Sequence, residues 1–373
     1  MFFFGKKNQK TFARWGGLVL LASSQAGHAQ PTLREACAAD YHQFCAGVLP
    51  GGGRIIACFA ANDAKLSAAC KTAIAADQAK REAAENQRAT AAGDMLVHIT
   101  VDGVARSYLV HKPNLPAPAS GFPLLLVFHG AGGQGGGMVS LTHLDTLADQ
   151  RGFIAVYPNG LNRRWNDGRT SIKEKTNDTG FTRAMLDDLA VKYPVDTQRI
   201  FAAGMSNGAM FTQRLGCEMA DRISGIAAIA GSMPNDIMPG CHPAKPVAVL
   251  QIGGTADPIV PFGGGKVSLF GGLIVDGTVM SATATAEFWA QYDGCATTSI
   301  KPEKPGADGI SVTRTEYGPC RSGRDVRLLA VNGGGHVWPG GPQYLPAAMI
   351  GPTTQNLDAS AALVDFFLAQ TPR

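Results

Sequence analysis

The segment RIFAAGMSNGAMFTQRL, Arg199 to Leu215, decides how this chain is read. An apolar, alanine-rich run stops at Gly204, a lone Ser206 follows, and beyond Gly208 the pattern restarts as an amphipathic helix. Two glycines around a small polar residue can be an ordinary tight turn, because glycine adopts backbone angles that other residues avoid. Between a strand and a helix, the same pattern lifts a serine hydroxyl clear of a sheet as a nucleophile elbow. That second reading needs a base, an acid and a second oxyanion donor in workable places.

The amide of Asn207 opens the helix and can point at a developing oxyanion. A second donor belongs on the loop after an earlier strand, and LLLVFHGAGGQGGG supplies one at Gly130 or Ala131, with Ala131 preferred. This run lacks the Lys-Ser/Thr ending of a phosphate-binding loop and the spacing of a dinucleotide fingerprint. Of the eight histidines, His336 stands in the glycine-rich stretch VNGGGHVWPGG, after an apolar strand and before the final helix. Asp257, in VAVLQIGGTADPIVP, is the carboxylate between serine and histidine that follows a strong apolar strand through a short turn. Ser206, Asp257 and His336 therefore occur in the order a Ser-Asp-His unit requires. Asp178 precedes the serine and reads as a helix N-cap.

Formal charge is +4, but Lys6, Lys7, Lys10 and Arg14 all fall in residues 1–29, which hold no acidic side chain. The rest of the chain balances, so no basic patch favours nucleic acid. Residues 1–29 read as a secretory signal: a basic start, the apolar run WGGLVLLAS, and small residues before Gln30. The apolar run is shorter than the roughly 20 residues a membrane helix needs. The mature protein is expected to be soluble and exported, to a secreted or periplasmic location. Eight cysteines suit such a compartment. Cys37, Cys45, Cys58 and Cys70 crowd near the start; Cys217, Cys241, Cys295 and Cys320 spread over the second half. Antiparallel helices would bring outer and inner positions together, pairing Cys37 with Cys70 and Cys45 with Cys58. Each later pair, Cys217 with Cys241 and Cys295 with Cys320, would bracket one loop-containing segment. The early group lacks the close spacing and paired histidines of a zinc site.

Residues 30–75 read as a small cysteine-stapled helical module, with a turn at LPGGG and an N-cap at AND; residues 76–93 read as a charged helical linker. Residues 94–373 follow as the catalytic domain. Asp102-Gly103 marks a hairpin. Short apolar runs then alternate with helical patterns, among them one helix over MVSLTHLDTLADQRG, which predicts a mostly parallel sheet covered by helices on both faces. The stretch PIVPFGGGKVSLFGGLIVDGTVM after Asp257 reads as a long loop that could line an acyl pocket.

PLLLVFHGAGG, VYPNGLNRRWND, VDTQRIFAAGMSNGAM, GGTADPIVPFGGG, AEFWAQYDGC and NGGGHVWPGG, in this order, closely resemble the polyhydroxybutyrate depolymerase and feruloyl esterase-like family of exported α/β-hydrolases. The early cysteine spacing with LPGGGRIIAC resembles the cysteine-rich repeat of Golgi and growth-factor-binding membrane proteins. The first resemblance implies an α/β-hydrolase fold and hydrolysis of an ester substrate through an acyl-serine, with Ser206, Asp257 and His336 as the triad and no cofactor. It also places Trp165 and Trp338 in loops bordering the substrate. An acyltransferase could use the same triad, passing the acyl group to a sugar or lipid.

Overall fold

The computed structural model describes residues 32–48, 54–173, 175–269 and 274–372. The expected signal segment and the LPGGG turn lie outside the described residues. The domain opens with β1 (Met95–Val101) and β2 (Val104–His111), paired antiparallel with Val101 opposite Val104. Asp102 and Gly103 between them both have positive φ, 51° and 76°, the conformation an Asp-Gly hairpin turn demands. β3 (Phe122–Phe128), β4 (Ile154–Pro158), β5 (Val195–Met205), β6 (Gly225–Ile229) and β7 (Ala248–Gly254) follow. A separate antiparallel pair comes next, β8 (Gly265–Leu269) with β9 (Ile274–Val279), and then β10 (Thr298–Pro302), β11 (Ser311–Tyr317) and β12 (Val326–Asn332).

Ten of these strands form one sheet in the order β1-β2-β4-β3-β5-β6-β7-β12-β11-β10. The six from β4 to β12 run parallel, and an antiparallel hairpin finishes each edge. Near-continuous apolar runs are what a sheet buried on both faces requires. In β3, Leu124, Leu126 and Phe128 enter one core while Leu125 and Val127 enter the other. The first core also takes Phe211 and Leu215 from helix Asn207–Glu218 and Trp289 from helix Ala282–Tyr292. The second takes Leu144 from helix Leu144–Arg151 and Phe367 from helix Ala359–Leu368.

Several sequence expectations need correction. The single helix expected over 138–152 is two, Gly135–Thr142 and Leu144–Arg151, parted at His143, whose φ is 52°. Asn177 rather than Asp178 caps helix Asp178–Lys192, its side chain accepting from Gly180 N. The boundary expected between module and linker falls inside one helix, Ala68–Ala92. The stretch after Asp257 is not an irregular loop, because β8 and β9 occupy much of it. β10 and β11 have no counterpart in the sequence reading.

The cysteine module has its own small core of Cys37, Cys45, Phe59, Leu66 and Cys70. Bonds Cys37–Cys70, Cys45–Cys58, Cys217–Cys241 and Cys295–Cys320 all form, pairing the cysteines as expected from the sequence. Helix Arg54–Ala61 of the module lies against the short turn Leu161–Arg163 of the catalytic domain.

Candidate active site

Ser206 follows β5 with φ 57° and ψ −120° and heads helix Asn207–Glu218. A non-glycine residue held in such a region costs about 1–3 kcal/mol and persists only where its surroundings enforce it. Here they do. Ser206 N donates to Ile229 O at 3.0 Å, and Ser206 O accepts from Met210 N at 3.0 Å. A Cβ on Gly204 would fall 2.5 Å from the Gly208 carbonyl, and one on Gly208 would fall 2.3 Å from Phe128 O. Both glycines are therefore needed for the helix to turn back so closely over β5 and β3. Only Ser206 at this turn retains partial exposure; Met205 and Asn207 are buried.

Asp257 follows β7 and His336 follows β12, at the same carboxyl edge of the parallel sheet. His336 Nδ1 lies 2.8 Å from Asp257 Oδ2, with both side chains buried. Asp257 Oδ1 accepts from the amides of Ile259 and Val260 at 2.8 and 2.9 Å, so the carboxylate is aimed by its own turn. A carboxylate only accepts, which makes Nδ1–H the donor and leaves Nε2 with its lone pair. The loops approach backbone to backbone: a Cβ on Gly254 would sit 2.3 Å from Gly334 O, and one on Gly335 would sit 2.2 Å from Ile350 O. That contact explains the glycines in both motifs. Tyr344, absent from the sequence reading, donates its hydroxyl to His336 O at 2.8 Å.

The glycine loop after β3 reaches Ser206, since a Cβ on Gly130 would lie 3.3 Å from the Ser206 Cβ. Ala131 follows it and is exposed. The loop is braced by Gly133 N to Gly130 O and Gly132 N to Arg163 O. His129 braces it too. Its Nε2 accepts from Gly160 N at 3.0 Å, so Nδ1–H is the donor to Gly130 O at 2.8 Å. Burial pushes this imidazole down to about 4, which keeps it neutral in that role.

Trp165 and Trp338 are corrections: expected to border substrate, they are 0% and 1% exposed. Trp165 stacks on Phe211 at 5.3 Å and donates Nε1–H to His129 O, whereas Trp338 Nε1–H bonds Ser360 Oγ. Neither presents a face to a ligand.

Asp94, His111 and Asp145 place ligand-type atoms within 4.8 Å of one another. His111 itself supplies the positive charge there. Burial alone would lower its pKa, but hydrogen bonds to Asp94 and Asp149 and the field of Asp145 raise it to about 9.

A serine at a strand-turn-helix elbow on the carboxyl edge of a mostly parallel sheet defines an α/β-hydrolase. Residues 119–269 match the phospholipase/carboxylesterase family. A relative named "Putative esterase NocK", from Nocardia uniformis subsp. tsuyamanensis, is 32% identical over 280 residues, covering 72% of this chain and 81% of its own. Feruloyl esterase B of Piromyces equi is 31% identical over 58% of this chain, a match spanning only 39% of that enzyme. An acetyl xylan esterase structure from Aspergillus awamori is 16% identical, with a TM-score of 0.46 and coverage of 65% of this chain and 94% of that one. On this relationship, the chain belongs to the family of esterases that includes NocK.

Proposed function

We propose that the chain is an exported serine esterase that cleaves aromatic or short-acyl esters through an acyl-serine on Ser206. The observation that carries this reading is the 2.8 Å His336–Asp257 pair on the same sheet edge as the positive-φ serine. Ser206 Oγ attacks the ester carbonyl while His336 Nε2 takes its proton. The amides of Asn207 and Ala131 stabilise the oxyanion, and the alcohol leaves with the proton returned by His336. Water then repeats the sequence on the acyl-enzyme and releases the acid. Asp257 holds the imidazole in the required tautomer and stabilises its charged form. Export is supported by the signal-like segment 1–29 and by four disulfides. Among the described residues no helix is long and apolar enough to cross a membrane.

For the substrate, relatives named feruloyl esterases and an acetylxylan esterase/xylanase favour hydroxycinnamoyl or acetyl esters of plant cell-wall polysaccharide. The motifs resembling polyhydroxybutyrate depolymerases favour short hydroxyacyl esters as the second reading. Specificity constants for methyl ferulate, acetylated xylan, polyhydroxybutyrate and nitrophenyl esters from acetate to octanoate separate these, with free acid measured against transferred product. Aromatic and short acyl groups are expected to be cleaved to free acid, with rates falling steeply toward octanoate. An optimum at long acyl chains, or transfer in place of hydrolysis, would contradict the reading.

A further inference from the structure

The side chain of Asn207 is tethered by a single segment of chain. Asn207 Oδ1 accepts from Trp165 N at 2.8 Å, and Nδ2 donates to Trp165 O at 3.0 Å and to Asp167 Oδ2 at 2.6 Å. Asp167 is in turn gripped by Arg169, whose Nε lies 3.1 and 3.0 Å from the two carboxylate oxygens and whose Nη2 lies 2.7 Å from Oδ2. All three side chains are buried. The same guanidinium reaches through Nη1 to the carbonyl of Asp276 in β9 and lies 3.6 Å from its carboxylate; Arg164 pairs with that carboxylate as well. Where β9 crosses Arg169 the residue is Gly277, at φ 78°, and a Cβ there would fall 2.9 Å from Arg169 Cδ. Val267 and Val279 of β8 and β9 also pack in one cluster with Met210 of the helix that Asn207 opens.

Taking a carboxylate and a guanidinium out of water costs several kcal/mol per ion, and packing alone would be met by apolar side chains without that cost. What the ion pair adds is direction. It fixes the acceptor for Asn207 Nδ2 and, with it, the first turn of the helix, whose leading amide is the oxyanion donor of the proposed reaction. We infer that Asp167 is a positioning residue for the Asn207 amide, and that Arg169 couples this position to the β8–β9 hairpin. The inference rests on the reading of Ser206 as nucleophile.

Asn207→Ala keeps the backbone amide and removes the tether. Displacing a reacting group by ~1 Å can cost ~10²-fold in rate, so kcat is expected to fall about 10- to 100-fold with KM within about twofold. Affinity for a boronic acid that mimics the tetrahedral intermediate should fall by a similar factor. Asp167→Ala combined with Arg169→Met removes the acceptor without stranding a buried charge, and a folded double variant should show the same split. That variant decides the matter if Asn207→Ala does not fold. A folded variant with unchanged kcat, or with its loss confined to KM, would overturn the inference. Ser206→Ala run alongside keeps the two readings apart: activity there removes the nucleophile, whereas an inert Ser206→Ala beside an unimpaired Asn207→Ala removes only the positioning role.

Discussion

At the scale of single residues, the site depends on positions that carry no chemistry. Gly204 and Gly208 let helix and strand close to a distance at which any Cβ would strike backbone, and Gly254 does the same for the loops carrying Asp257 and His336. His129 braces the glycine loop because burial keeps it neutral, whereas His111, also buried, is held charged by its carboxylate neighbours. The groups around His111 are Asp94 ahead of β1, Asp145 and Asp149 on helix Leu144–Arg151, and, behind Asp145, the Tyr157 hydroxyl of β4. A folded-state pKa of about 9 against an ordinary 6.5 means the protonated form is favoured by folding. The stabilisation is full below about pH 6.5 and disappears as pH rises through about 9. The denaturation midpoint of wild type should therefore exceed that of His111→Gln at pH ~6 and converge toward it near pH ~10. A gap that stays constant or widens with pH would contradict the charged state.

At the scale of elements, the serine's helix is secured at both ends. Its start is tied through Asn207, and its last turn is bonded through Cys217 to Cys241, across 24 residues of sequence. Closing a loop of that length constrains the unfolded chain by about 3 kcal/mol. Cys217→Ser with Cys241→Ser should lower the unfolding free energy by about that amount, read from the drop in the denaturant midpoint at unchanged slope. Activity at 25 °C should persist, because the bond lies ten residues, roughly 15 Å, along the helix from Asn207. An unchanged midpoint would show that the native structure does not draw on this bond. Elements with strong apolar runs were legible in the sequence, since β3, β5, β6, β7 and β12 are buried on both faces. β10 was not, because every residue of Thr298–Pro302 is exposed and it has no apolar signature to read. β11 buries Val312 in one core and Thr315 and Tyr317 on the opposite face, so it carries no simple alternation to read.

At the scale of the whole molecule, Ser206, Asp257 and His336 come from loops 51 to 130 residues apart in sequence that the sheet brings to one edge. Residue type and chain order singled out Ser206, Asp257 and His336 as candidates, because each sits at a strand end marked by glycines, and the structure pairs the last two. The same local signals could not tell that Trp165 and Trp338 turn inward, which depends on Phe211 and Ser360 in distant helices. The Asn207–Asp167–Arg169 chain was equally silent, since Asn207 and Asp167 lie 40 residues apart in sequence and meet only in the folded structure. The nucleophile is the claim on which the rest depends, and a fluorophosphonate with peptide mapping measures it directly. One equivalent should attach per chain, on Ser206, slowly in His336→Ala and not at all in an inert Ser206→Ala. Attachment at another residue, or turnover that survives in Ser206→Ala, would contradict the account.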